Sequence, residues 1–237
     1  MKSKIIFPLW PRALAFAIVL ALSSHASFAK ESALNFLKAG KPGAEEILAP
    51  PPLPDSVEQA ADLATVKSVY HSATESEKQA AYDEKKFSVF NFTAAVGPFF
   101  QSANLPKTTA FFEKVQLDAE TVTDAGKEHF HRPRPYTTDP SLSNGKLEKS
   151  FSYPSGHSTE SMVLALVLAD LFPDQHDAIL THARLMGWHR VQIARHYPTD
   201  IYAGRVLAQA IVKQMKKSPV FVKEFAEAKA EIAAAQK

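Results

Sequence analysis

The chain has 237 residues, 46% hydrophobic and 22% charged, with a formal net charge of +2. That composition excludes wholesale disorder and fits one compact domain plus an appendage. It has no cysteine, which excludes a disulfide scaffold, thiolate metal sites and a cysteine nucleophile.

Lys2, Lys4 and Arg12 are the only charges among the first 29 residues, and residues 13–22 read ALAFAIVLAL. Small residues follow and end at Ala29. This pattern predicts a secretory signal peptide over 1–29, cut after Ala29, which places the mature protein in the periplasm or outside the cell. The apolar core is shorter than the roughly 20 residues of a membrane span. With the leader gone, 27 basic residues become 24 against 25 acids, a net charge of −1. No basic tract remains to suggest a nucleic-acid partner.

Residues 30–54 read as a loosely attached arm with a short helix and the stiff stretch Pro50-Pro51-Pro52-Leu53-Pro54. The domain proper, 55–237, reads as all-α. Asp55 or Ser56 caps a helix to about His71, with Ala60, Leu63 and Val66 or Val69 on its apolar face. A second helix is expected from Ser76 to Phe90. Phe87, Val89, Phe90, Phe92, Phe99 and Phe100 are expected in the core. A third helix starts near Leu105-Pro106, with Phe111, Val115, Leu117 and Val122 facing inward. Residues 162–169 are apolar on every side, which predicts a central buried helix over about 158–172. Helices over about 174–195, 198–217 and 219–237 complete a single-domain bundle.

Polar residues suited to chemistry fall in three blocks. In Ser155-Gly156-His157, a helix start offers free amides to an anion, and glycine permits close approach. A plain capping motif is the competing explanation. His196 and Asp200 share a face if their stretch is helical, and a carboxylate on one ring nitrogen frees the other as a nucleophile. A surface ion pair has the same spacing. Arg190, Lys127 and Arg134 add cations suited to phosphate oxygens. His129-Phe130-His131 lacks further ligands at zinc spacing.

Together, Lys127-x6-Arg134-Pro135, Pro154-Ser155-Gly156-His157 and Arg190-x5-His196-x3-Asp200 resemble the signature of the type 2 phosphatidic acid phosphatase superfamily. Within it, the bacterial class A nonspecific acid phosphatases are the nearest likeness, from about Ile47 onward. The resemblance implies an all-α, metal-independent acid phosphatase, a phosphoric monoester hydrolase of broad specificity with no cofactor. It implies that His196 is the nucleophile, Asp200 its orienting partner and His157 the acid for the leaving alcohol. Lys127, Arg134, Ser155, Gly156 and Arg190 hold the phosphate. Arg132-Pro133 is out of register with Lys127, so Arg134 takes that role. His131 and Tyr136 are placed at the substrate mouth. Small phosphate monoesters are the implied partners, and a homo-oligomer the implied assembly. The family usually has serine where His189 stands, a change expected to alter a supporting bond or the pH response. Three other readings stay open: a phosphatase for a lipid phosphate or diphosphate, a vanadate-dependent haloperoxidase, and an inactive binder of phosphate esters.

Overall fold

The computed structural model describes residues 34–84 and 86–236; the predicted leader and its cleavage site lie outside the described residues. Among the described residues the secondary structure is helical, with no strand. No helix there is long and apolar enough to cross a membrane.

The helix starts follow capping chemistry. After the single turn of α1 (Ala44–Ile47), α2 (Val57–Ser72) begins where Ser56 accepts a bond from the Gln59 amide. Its inward face is Gln59, Asp62 and Val66, and Ala60 is exposed. The polar pair faces inward because it meets a buried arginine, described below. α3 (Glu75–Asp83) carries a capping box of Thr74 and Glu77 and stops short of the expected Phe90. A 3₁₀ turn, Val89–Phe92, follows. Apolar residues at 87, 89, 90 and 92 do not share one helical face, and the turn buries Val89 and Phe92 while Phe87 and Phe90 pack against the core.

α4 (Thr93–Val96) ends at Gly97, whose φ of 134° lies where side chains are strained. α5 (Pro106–Phe130) has Pro106 in its first turn, where the missing N–H costs nothing. Phe111, Val115 and Val122 are buried, but Leu117 is exposed. α6 (Pro135–Thr138) is one turn. α7 (Gly156–Leu171), α8 (His176–Gln192), α9 (Pro198–Met215) and α10 (Pro219–Ala235) complete the chain.

α7 is the centre, packed against α5, α8 and α9, and α10 lies on α5. Its run from Met162 to Ala169 is buried apart from the partly covered Leu166. Backbones approach closely where α9 crosses α7. A Cβ on Gly204 would stand 3.0 Å from the Ser155 carbonyl oxygen and the Thr159 nitrogen.

The arm is not loose. Phe36, Leu37, Ala44 and Leu48 are buried in the same core as α5 and α7. Asp118 of α5, fully buried, accepts the amides of Asn35, Phe36 and Leu37 at 2.8, 2.8 and 3.1 Å. The Phe36 ring packs on Phe111 and Phe221.

Candidate active site

His196 stands between two helices rather than on one. The chain leaves α8 through Ala194, at φ 53°, and enters α9 at Pro198. Asp200 occupies the third position of α9. Its Oδ2 accepts the Tyr197 amide at 2.9 Å as part of the helix cap and lies 3.4 Å from His196 Nδ1. The pair therefore meets through cap geometry, and it is buried, not a surface ion pair. Ser152 donates to the same carboxylate oxygen at 2.6 Å.

The two Arg-Pro steps divide their work. Arg134 donates Nη1 to the Arg195 carbonyl at 3.0 Å and approaches His196 Nε2 at 3.3 Å. Guanidinium groups only donate, so Nε2 is the acceptor and the ring proton sits on Nδ1, facing Asp200. Arg132 lies behind the site. It donates to Asp200 Oδ1 at 2.5 Å, to Asp62 Oδ2 at 2.7 Å and to Gln59 Oε1 at 2.6 Å. The inward polar face of α2 is thus the far half of an Asp62–Arg132–Asp200 array.

The start of α7 closes the other side. Ser155 caps the helix, and its own amide donates to the Asp200 carbonyl at 3.1 Å. Lys127 Nζ would lie 3.3 Å from a Cβ on Gly156, so the ammonium and the free helix start share one space. Lys127 is also paired with Asp124 at 2.7 Å. His157 Nε2 is 3.5 Å from Arg190 Nη1, and Phe87 flanks its ring. Arg190 also donates to the Ala81 carbonyl and lies 3.6 Å from Glu84 Oε2. His189 meets at 2.8 Å the same Glu84 carboxylate that lies beside Arg190. A cavity of about 550 Å³ opens alongside, with Tyr82, Leu147, Glu148, Arg190 and Arg195 in its wall.

Burial, then Arg134, pushes the His196 ring down to about 4, although Asp200 opposes the shift. Burial, then Arg190, holds His157 well below the usual imidazole range. Burial would raise the Asp200 carboxyl, but its bonds with His196 and the charge of Arg132 outweigh that and keep it low. The site is therefore a neutral histidine pair among fixed cations, with carboxylates of Asp200, Glu148 and Glu84 at its edges, and its cations suit an anionic ligand.

Residues 116–220 match the PAP2 superfamily. The chain carries a PAP2 superfamily domain. All three sequence blocks lie inside the matched residues. The chain is 31% identical over 152 residues to a non-specific acid phosphatase of Providencia stuartii, covering 62% of this chain and 61% of that protein. It is 30% identical over 166 residues to one of Salmonella typhi, covering 65% and 66%. The chain thus spans just under two thirds of these relatives. A crystal structure titled a transmembrane PAP2 type phosphatidylglycerolphosphate phosphatase from Bacillus subtilis shares the fold. Its TM-score is 0.50 at 19% identity, over 73% of this chain and 89% of that one.

The PAP2 domain gathers Lys127, Arg134, Ser155, Gly156, His157, Arg190, His196 and Asp200 into one place. His131 is exposed and meets the Phe151 ring edge to face. Tyr136 is buried and holds the Glu148 backbone through its hydroxyl. Sequence reading missed Ser152, Glu84, Glu148 and the structural role of Arg132. Only Arg132 carried a signal, as the duplicated Arg-Pro.

Proposed function

We propose that the chain is a metal-independent acid phosphatase that hydrolyses phosphate monoesters with broad specificity, in the periplasm or outside the cell. The observation that carries this is His196: its Nδ1 side rests on buried Asp200, and its Nε2 lone pair faces the Arg134 fork. The relatives named non-specific acid phosphatase support the same reading. Export rests on the predicted leader. Exposed Val57, Tyr202 and Val206 offer apolar surface for a homo-oligomer.

In the first step His196 Nε2 attacks phosphorus, the bond to the leaving oxygen breaks, and protonated His157 gives that oxygen its proton. Arrival of the phosphate dianion counters the burial and the Arg190 charge that keep His157 neutral in the empty site. Lys127, Arg134, Arg190, the Ser155 hydroxyl and the Gly156 amide stabilise the charge spread over the equatorial oxygens. In the second step water attacks phosphorus, His157 accepts its proton, and the phosphorus–nitrogen bond breaks. Asp200 stabilises the imidazolium side throughout. No step needs a metal, because the cations and helix start supply the charge.

The deciding experiment is His196→Ala assayed with p-nitrophenyl phosphate at about pH 5–6, near where a histidine acid works. The expected result is loss of phosphate release with unchanged circular dichroism; wild-type turnover would refute the nucleophile. Lipid phosphate and bromide oxidation with vanadate belong in the same panel.

A further inference from the structure

Arg134 is closely engaged on all three of its nitrogens. Its Nε donates to the Ser150 carbonyl at 2.8 Å, and Nη1 serves the Arg195 carbonyl and His196 Nε2. Nη2 donates to Ser150 Oγ at 3.0 Å and pairs with Glu148 Oε2 at 2.5 Å. Four of its N–H donors are thus hydrogen-bonded, and the Glu148 carboxylate adds an ion pair on Nη2. Among these partners Glu148 is the only charged side chain, and it is 40% exposed.

We infer that Glu148 occupies the phosphate position on Arg134 in the resting protein and must be displaced when substrate binds, so that it sets the affinity for anionic ligands. The inference rests on the phosphatase reading above and deepens it. A carboxylate and a phosphate oxygen recognise the same planar fork and exclude each other there.

The surroundings hold Glu148 in place without locking it. Its carboxylate faces Arg134, then His196, Arg195 and Lys127, and together they outweigh its burial and keep it ionised. Its charge also reaches Arg190. The segment that carries it is anchored by other groups. Arg195 donates to the Asn144 and Lys146 carbonyls at 2.8 and 3.1 Å. Tyr136 Oη accepts the Glu148 amide at 3.1 Å. The side chain can therefore leave Arg134 while its backbone stays. Displacement costs the Arg134 contact on every binding event, and protonation of the carboxylate removes that cost. The site thereby favours ligands that carry enough charge to outcompete a carboxylate.

The test is calorimetric binding of inorganic phosphate to the full chain and to Glu148→Gln and Glu148→Ala at about pH 7 and about pH 3, above and below the ordinary glutamate value. Both variants are expected to bind phosphate about tenfold more tightly at the higher pH, the factor one charge-assisted hydrogen bond commonly carries. At the lower pH the ratio to wild type shrinks toward one. In the p-nitrophenyl phosphate assay the same variants are expected to lower KM more than they change kcat. Equal affinity in all three proteins overturns the inference, and weaker binding by the variants overturns it too, since Glu148 would then be positioning Arg134. No phosphate binding by any of the three would instead defeat the phosphatase reading on which it rests.

Discussion

Arg132 and Asp200 form a buried ion pair, Nη1 to Oδ1 at 2.5 Å, with side chains 4% and 0% exposed. The second nitrogen of the same guanidinium holds Asp62 of α2, and the group lies 4.0 Å over the Tyr197 ring. One arginine thus ties α2 to the cap of α9 and keeps the His196 partner ionised.

Replacing Arg132 by Met leaves two buried carboxylates without their cation. Removing one partner of a buried pair costs about 3–5 kcal/mol. Urea unfolding of Arg132→Met is expected to show a loss in that range, with Arg132→Lys intermediate. An unchanged midpoint would contradict the array.

The proposed mechanism requires a neutral attacking nitrogen on His196. Burial and Arg134 push its ring down to about 4, so the acid limb of kcat/KM is expected to fall below that pH, while loss of the His157 proton sets the basic limb. Asp200 raises that value, so Asp200→Asn moves the acid limb to lower pH while lowering the rate. A limb that stays in place in this variant would assign it to another group. A pH–rate profile of both proteins decides.

Glu160, one turn into α7, is pushed up to about 7, chiefly by burial, while the Gln116 amide donates to it at 3.1 Å and opposes the shift. A carboxyl whose folded value is raised favours folding below its unfolded value, and that benefit is lost as pH rises toward 7. Glu160→Gln keeps an acceptor for Gln116 and removes the charge. Thermal unfolding should show a gain of about 1 kcal/mol or more at pH 8 and almost none at pH 4. An equal gain at both would mean that charge burial is not the cause.

Gly204 marks a close approach of α9 to the start of α7. The Cβ of Gly204→Ala would meet backbone atoms, which yield less readily than a side-chain tip. Overpacking of this kind costs about 1–3 kcal/mol. Because Ser155 would have to move, kcat is expected to drop by about tenfold or more, as small misplacements of positioning groups do. Denaturant midpoints and steady-state kinetics measure the two effects separately.

The helical class, the central helix and the three polar blocks were legible because each leaves a local mark. Capping residues precede helices, an all-round apolar run means burial, and the three blocks have fixed internal spacing. Ala60 and Leu117 were misread because apolar periodicity is only a tendency. At α2 the arginine behind the site recruited Gln59 and Asp62 instead. The arm was read as loose because Phe36 and Leu37 are few, and the anchor that orders them, Asp118, lies far along the chain.

By itself, the sequence determined which residues carry charge, which can attack, and which helices bury their whole circumference, since these depend on residue type and near spacing. Only the tertiary structure decided that Arg132 pairs with Asp62 and Asp200, that His196 meets Asp200 through a helix cap, and that Glu148 sits on the Arg134 guanidinium. Those pairings join residues distant in the chain or turn on a few degrees of backbone direction. They are selected by where burial leaves each charge a partner, and no spacing rule encodes that.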